Sequence, residues 1–287
     1  SLKSLGREGE FSAIEGRSQS FRLLTFAGCN ILGGIIAEYS IFAPMWASVV
    51  GPVLAVPVVW LFVDGQAAPV RAGWREGLAA YGTLTKASLR FVSKHQLVRW
   101  FILFQAVLVA SASWLLWSYQ PYMELTGLPA WWIGVMFAVY QLGAALFSRI
   151  APAFATRFGE ATTLVVLGAL QAGTPLLRAC AGGLAASLLV LGHEAGRGLF
   201  RPILSSRILA YTFADKRATV LSLASLAGRL AFALTSPLIG WVGGAYDLRT
   251  ALLVQGLALV AVFVVLGWQF IAIPEKYRTI KSDIASK

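Results

Sequence analysis

Four ionisable side chains interrupt an otherwise apolar stretch in the second half of the chain. They are His193, Glu194, Arg197 and Arg201. At about 100° per residue on an α-helix, the histidine and the two arginines follow one another at intervals of about 40°, with Glu194 at the edge of the same arc. One face of one helix is therefore polar. Because ionisable groups in a membrane segment are costly, this face predicts a site that contacts a solute or a proton. A structural polar seam between helix bundles is the alternative.

The chemistry of these groups indicates what such a site would bind. The unperturbed imidazole of His193 titrates near neutral pH, so it is the candidate for proton sensitivity. Glu194 and Arg197 stand at i,i+3 spacing and are expected to form an ion pair. Arg229, in the next apolar stretch, is expected to face the same cavity or to pair with Glu194. Since arginine binds carboxylates bidentately, an arginine-rich face favours anionic or carboxylate-bearing solutes.

Five further residues within apolar stretches are candidates for the same pathway. They are Glu38, Trp114, Tyr140, Gln141 and Gln171. Glu38 is either a proton-titrating carboxylate or a residue that reaches to the membrane interface. Trp114 belongs either to an interfacial aromatic belt or to a wall that faces the solute. The tyrosine and the two glutamines either bond a neighbouring helix or line a cavity.

Several function classes find no support in the sequence. The chain has two histidines, and no HExxH, GxSxG or P-loop motif is present. Cys29 and Cys180 both lie in apolar stretches, at a spacing that matches no metal site or disulfide framework. We therefore expect no enzyme activity, no metal and no cofactor. The net charge of +11 could indicate nucleic acid, but the distribution of the basic residues gives a better explanation.

The composition predicts an all-α, polytopic membrane helix bundle. The chain is 57% hydrophobic and 13% charged, with a mean hydropathy of +0.71, whereas soluble domains carry about 25% charged residues. Eight stretches are long enough to cross a hydrocarbon core as helices. They are 21–40, 44–63, 97–118, 129–152, 161–180, 184–210, 217–243 and 249–273.

The loops between these stretches predict the orientation. All but five of the 24 lysines and arginines fall in segments on the same side as both termini. The five exceptions are Arg178, Arg197, Arg201, Arg229 and Arg249. By the positive-inside rule, both termini should be cytoplasmic, in a multi-pass protein of the cell (inner) membrane. The lipid bilayer is then the main partner, and nucleic acid is not one.

The spacing of the stretches also divides the chain into segments. Residues 1–63 would form a partial N-terminal bundle of two membrane helices, and 97–273 a C-terminal six-helix bundle. Between them, 64–96 reads as a basic amphipathic helix on the inner interface or as a plain tether. Residues 274–287 would form a cytoplasmic tail.

Two segments resemble the major facilitator superfamily, in particular drug-efflux-like bacterial permeases. Lys216-Arg217-Ala218-Thr219-Val220-Leu221-Ser222 leads into a stretch ending in SPLIGWVGGAYD and resembles the entry to the eleventh helix of that family. The opening SLKSLGREGEFSAIEGR resembles the segment after its fourth helix, so the eight stretches would be helices five to twelve. Two motifs depart from the family pattern: Cys29-Asn30 replace a Gly-Pro pair, and Arg157-Phe158-Gly159-Glu160 is a remnant of a longer loop motif.

The resemblance implies a secondary active transporter that moves a small solute, possibly with a proton, by alternating access between two pseudo-symmetric halves. It also implies that the chain is truncated at its N-terminus, so that four further helices or another subunit would complete the pathway. A non-transporting membrane scaffold or partner subunit, or an inactive transporter fragment, is the alternative function.

Overall fold

A computed structural model of the chain describes residues 11–40, 42–60, 74–124, 127, 129–213 and 216–274. Within these ranges the regular structure is helical and contains no strand. The helices are α1 (Phe11–Tyr39), α2 (Ala43–Trp60), α3 (Trp74–Lys94), α4 (Gln96–Glu124), α5 (Ala130–Cys180), α6 (Gly183–Ala210), α7 (Arg217–Ala245) and α8 (Leu248–Ala272). The all-α prediction is therefore confirmed for the described part of the chain. The predicted tail falls, apart from residue 274, outside it, as do residues 1–10 and 61–73.

Helix α5 contains two of the predicted stretches, joined without the loop that we expected between them. Its backbone leaves helical geometry at Gly159, where φ is 75° and ψ is 174°. Glycine adopts such a positive φ at no steric cost, so the reversal falls at this position. Tyr140 and Arg178 would be about 57 Å apart on a straight helix, yet both lie close to Tyr119, in ring–ring and ring–guanidinium contact respectively. The two arms of α5, 130–158 and 160–180, therefore run antiparallel.

The arms of α5 organise the packing of the other helices. Helix α6 lies along both arms, α1 packs on α5 as well, and α8 packs against the second arm. Helix α4 contacts α6, α7 and α8, and α3 contacts the ends of α4 and α7. The buried side chains at one end of the bundle, around Trp100, Phe101 and Leu204, form a larger core than those at the other end, around Tyr119 and Tyr140.

The first two helices attach through small residues. A side chain at Gly134 of α5 would overlap the backbone of α1 at Asn30 and Gly34. Gly34 of α1 therefore lies at a close contact between the two helices, as is common for small residues at helix interfaces in membranes. Helix α2 contacts α1. The described contacts thus connect 21–60 to the rest of the chain through α1.

Four helices, α4, α5, α7 and α8, are long and apolar enough to span a membrane. Helix α2 is equally apolar but shorter, and α6 carries the ionisable cluster. Large apolar side chains on α7 and α8 are exposed, for example Leu234, Trp241 and Trp268 at 75%, 66% and 78%. A soluble protein rarely exposes so much contiguous apolar surface, so these faces are compatible with contact to lipid.

Candidate functional site

Helix α6 places its polar face between α4 and α5. His193 and Glu194 are 0% and 1% exposed, so two ionisable groups are enclosed by neighbouring helices. Glycines bring the backbones close there: a side chain at Gly198 would overlap the carbonyl oxygen of Ala144 on α5, and one at Gly196 would press on Gln171. Close approach of this kind lets short polar side chains bond across the helix interface.

Glu194 is the centre of the cluster. Its Oε1 accepts a hydrogen bond from the Tyr119 hydroxyl of α4 at 3.0 Å, and the same oxygen lies 3.5 Å from His193 Nδ1. Its Oε2 lies 2.7 Å from Arg197 Nε, which donates a hydrogen bond, and 2.5 Å from Arg197 Nη2. The predicted i,i+3 ion pair is therefore confirmed. A buried carboxylate normally needs such a paired and hydrogen-bonded environment.

Arg197 connects the Glu194 carboxylate to α5, and part of its side chain is exposed to solvent-accessible space. Its Nη2 also donates a hydrogen bond to Gln141 Oε1. Its side chain is 28% exposed, whereas that of Glu194 is 1% exposed. The guanidinium thus lies at the boundary between the buried carboxylate and accessible space. A charged solute or a water molecule would meet Arg197 before it met Glu194.

His193 lies deeper than Arg197, next to the second arm of α5. The His193 ring contacts Tyr119, whose hydroxyl oxygen is within hydrogen-bond distance of Nδ1. Its backbone carbonyl accepts a hydrogen bond from Gln171 Nε2 at 3.4 Å, and Gln171 Oε1 accepts one from Ser111 of α4 at 3.2 Å. His193 Nε2 has no hydrogen-bond partner among the described residues. The hydrogen-bonding capacity of this buried ring nitrogen is therefore unused within the described residues.

The tyrosine and glutamine candidates on α5 bond a neighbouring helix, which was one of the two alternatives. Tyr140 donates a hydrogen bond to the carbonyl oxygen of Ser187 on α6 at 2.8 Å, and Gln141 accepts one from Arg197. Tyr140 also packs edge-on against Tyr119, with ring centroids 5.4 Å apart. These residues therefore hold α4, α5 and α6 together around Glu194.

Two residues of the site escaped the sequence analysis. Tyr119 is 1% exposed and contacts both His193 and Glu194. Arg178 was identified only as a basic residue away from the predicted cytoplasmic side, but it lies in the last turn of α5 and is 0% exposed. Helical spacing from Tyr119 to Tyr122 on α4 was a usable signal, but nothing local in the sequence indicates that Arg178 turns inward.

The structure leaves the other candidates outside the cluster. Arg201, Arg229 and Glu38 are exposed on α6, α7 and α1. The pairing of Arg229 with Glu194 is thus not observed, because the carboxylate takes Arg197 instead. Trp114 is half-buried on α4, and its indole Nε1 has no hydrogen-bond partner in the described part of the chain.

A separate cavity carries no comparable chemistry. It has a volume of about 380 Å³ and lies between α4, the second arm of α5 and α8. Its lining is apolar and aromatic, with Trp100, Phe104 and Phe263 among the larger side chains. The indole of Trp100 donates its N–H to the carbonyl oxygen of Leu266, so no polar group is left to orient a ligand. An apolar groove of this kind suits a lipid chain better than a polar solute.

The cluster contains titratable groups and a cation, and its described residues do not make up the donor set of a metal site. No group of three or more histidine, cysteine, aspartate or glutamate side chains lies close enough to hold an ion within the described ranges. What it offers instead is a carboxylate, an imidazole and a guanidinium in direct contact. The chain matches no protein-family model and no curated protein sequence.

Proposed function

We propose that this protein is a secondary active transporter of the major facilitator type, which moves a small solute by alternating access and couples that movement to a proton. In this proposal the described helices form an eight-span membrane bundle, with the two arms of α5 as separate spans and both termini in the cytoplasm of a multi-pass cell-membrane protein. Further N-terminal helices or a partner subunit complete the pathway.

The buried carboxylate of Glu194 carries this proposal. A carboxylate enclosed by three helices is costly in a membrane, and intramembrane ionisable groups mark ion and solute pathways. Glu194 shares its two oxygens between a titratable neighbour, His193, and a partly accessible cation, Arg197. Protonation of the carboxylate would weaken its hold on Arg197. The guanidinium would then be free to bind a solute, which is how a proton could be coupled to solute binding.

The sequence supports the same reading independently of the cluster. The segment Lys216–Ser222 and the opening segment resemble major facilitator permeases. A remnant of the family's loop motif, Arg157–Glu160, falls at the reversal of α5, where Glu160 forms an ion pair with Arg207 of α6 at 3.2 Å. In that family the solute path lies between two halves, so a pathway on α4, α5 and α6 needs a facing surface.

An unbiased uptake experiment tests the proposal. The purified protein, together with the N-terminal helices or partner subunit that complete the pathway, is reconstituted into liposomes with an imposed proton gradient and incubated in a small-molecule extract of the source cells. The lumen contents are then identified by mass spectrometry. We expect at least one solute to accumulate in the wild-type vesicles and not in protein-free vesicles or in vesicles with Glu194→Gln.

The control is Arg201→Gln, which changes an exposed arginine one turn from Arg197 and should leave the accumulation unchanged. If no solute accumulates with the completed wild-type assembly, folded and inserted, the transport function is excluded. The non-transporting scaffold or partner subunit would then be the better account.

A further inference from the structure

Arg178 is a fully buried arginine without a carboxylate partner in the described structure. Its side chain is 0% exposed, in the last turn of the second arm of α5. One nitrogen, Nη1, donates a hydrogen bond to the hydroxyl of Ser118 on α4 at 3.1 Å. Its guanidinium carbon lies 4.7 Å from the ring centre of Tyr122 and 5.4 Å from that of Tyr119. The guanidinium is thus held by aromatic faces and one neutral hydroxyl.

Two nitrogens of the Arg178 guanidinium group lack a hydrogen-bond acceptor in the described part of the chain. Nε and Nη2 are buried and have no hydrogen-bond partner among the described residues. These two nitrogens lie on one edge of the planar group, and their N–H bonds point in parallel. This edge is the fork that binds the two oxygens of a carboxylate in a bidentate pair.

Burying this edge of the guanidinium without an acceptor has a large free-energy cost. A buried charge costs several kcal/mol unless it is paired, and a cation–π contact recovers about 2 kcal/mol when desolvated. Two charged N–H donors without acceptors add a further penalty. An empty fork of this kind points to a ligand that would complete it.

We propose that Arg178 is the primary anchor for a carboxylate group of the transported solute. This rests on the proposed transport function and assigns its solute class. In the described conformation the end of α4 closes over the guanidinium, because Tyr122 donates a hydrogen bond to the carbonyl oxygen of Ala181 at 2.7 Å. The carboxylate reaches the empty Nε–Nη2 edge of Arg178 when the ends of α4 and α5 separate.

The surroundings favour a carboxylate over a phosphate group. A phosphate presents more charged oxygens than one guanidinium edge can bind, and the Ser118 hydroxyl is already engaged with Nη1. The neighbouring rings of Tyr119, Tyr122, Tyr140 and Phe137 also provide apolar surface for the body of the solute. A small organic acid meets both conditions.

Tyr119 connects this anchor to the buried carboxylate. Its ring faces Arg178, and its hydroxyl contacts His193 and Glu194. A shift of the ring when a solute binds the empty edge of Arg178 would therefore disturb the hydrogen bond to Glu194 directly. This gives the anchor a physical route to the proton-binding group, through one side chain.

The test is a binding experiment on the purified full chain in detergent. Thermal unfolding is followed by the fluorescence of the ten tryptophans in the presence of benzoate, of its neutral isostere benzamide, or of inorganic phosphate. We expect benzoate to raise the unfolding midpoint in a dose-dependent way and benzamide to leave it unchanged. Equal responses to benzoate and benzamide, or a response to phosphate alone, would overturn the proposal.

Substitutions then place the effect at Arg178. We expect Arg178→Gln and Arg178→Lys each to weaken benzoate binding by about tenfold or more, because neither retains the charged fork. Arg178→Lys keeps the buried charge and decides the question if the glutamine variant does not fold. The matched control is Arg249→Gln, at the exposed start of α8, which should bind benzoate like the wild type. Wild-type affinity in Arg178→Lys would overturn the proposal.

The binding assay tests the carboxylate site and the uptake assay tests transport, so a failure of one proposal can be told from a failure of the other. Benzoate binding that depends on Arg178, without uptake of any solute, would keep the carboxylate site and remove the transport function. Uptake confined to solutes without a carboxylate, with no benzoate response, would keep transport and remove the anchor.

Discussion

The hydroxyl of Tyr119 donates a hydrogen bond to the Glu194 carboxylate at 3.0 Å, across the interface between α4 and α6. The ring of the same tyrosine packs against the guanidinium of Arg178 on α5. One side chain therefore joins three helices and the two charged groups that we assign to proton and solute. The hydroxyl contact can be removed without the ring contact, because replacement of tyrosine by phenylalanine keeps the ring.

Tyr119→Phe should remove the hydroxyl contacts and keep the ring contacts. We expect a loss of about 1 kcal/mol in stability, since a hydrogen bond to a charged group is lost but intramembrane bonds are modest. Proton-coupled uptake should fall further than stability does, because Glu194 loses a partner. Thermal unfolding and uptake measure the two effects. Tyr140→Phe, which loses only its bond to Ser187, is the control, and equal uptake in both variants would contradict the special role of Tyr119.

Arg197 should not be replaceable by lysine. Its guanidinium bonds Glu194 through two nitrogens and Gln141 through one of them, and an ammonium cannot reproduce this planar geometry. We expect Arg197→Lys and Arg197→Ala both to reduce uptake by about tenfold or more, with normal membrane insertion. Arg201→Lys serves as the control, since Arg201 is exposed one turn away. Wild-type uptake in Arg197→Ala, at equal expression, would instead favour a structural polar seam.

The helices were predictable because a long apolar stretch in a membrane can satisfy its backbone hydrogen bonds within one segment only as a helix. The predicted stretch 184–210 and the observed α6, Gly183–Ala210, differ by one residue. By contrast, α4 runs to Glu124, six residues beyond the predicted end. Its last turns bury Tyr119, Tyr122 and Met123 against other helices, and this tertiary packing has no local sequence signal.

The site was only partly predictable for a related reason. The polar face of α6 follows from helical spacing alone, so His193, Glu194 and Arg197 were identified. Arg178 was not, because an arginine beside a predicted loop is normally solvated. Its burial depends on Tyr119 and Tyr122, which come from a helix more than fifty residues earlier in the chain.

Gly198→Ala should disrupt the contact between α5 and α6. An added methyl group would overlap the carbonyl oxygen of Ala144 and lie 3.0 Å from Phe147 Cβ. The first of these neighbours is backbone and cannot move aside without shifting the helix. We expect a loss of about 1–3 kcal/mol in stability, as for other overpacked sites. The control is Gly240→Ala on α7, where the added methyl group meets nothing within 4 Å, and a similar loss there would contradict the packing argument.

Asp247 should make stability depend on pH at the turn between α7 and α8. Its Oδ1 accepts a hydrogen bond from the backbone N–H of Thr250 at 2.6 Å, which holds the pKa of this carboxyl below its ordinary value of 3.8. A lowered pKa stabilises the folded protein above the ordinary value, and this contribution is lost as pH falls through the folded-state pKa. Between about pH 5 and about pH 3, the unfolding midpoint should therefore fall more in wild type than in Asp247→Asn, which caps the helix without titrating. Parallel curves would contradict the assignment.

The predicted orientation can be tested with cysteine labelling. Arg90 on α3 and Glu124 at the end of α4 are both exposed. Arg90 lies near the start of α4 and Glu124 at its other end, so the two residues mark opposite ends of the bundle. Cys29 and Cys180 are exposed as well, so both are first replaced by serine. In intact cells, a membrane-impermeant maleimide should label Glu124→Cys, and it should label Arg90→Cys only after the membrane is permeabilised. The positive-inside distribution of the basic residues is the physical reason.

A second pair of positions controls for local differences in the reactivity of the introduced cysteines. Lys86 is exposed on α3 one turn before Arg90, and Gln120 is exposed one turn before Glu124. Cysteines at Lys86 and Gln120 should label like their neighbours. Labelling of Arg90→Cys and Lys86→Cys in intact cells, with both α4 positions protected, would show that the orientation is inverted. The side from which a carboxylate reaches Arg178 would then be the cytoplasmic one, because Arg178 lies at the same end of the bundle as Glu124.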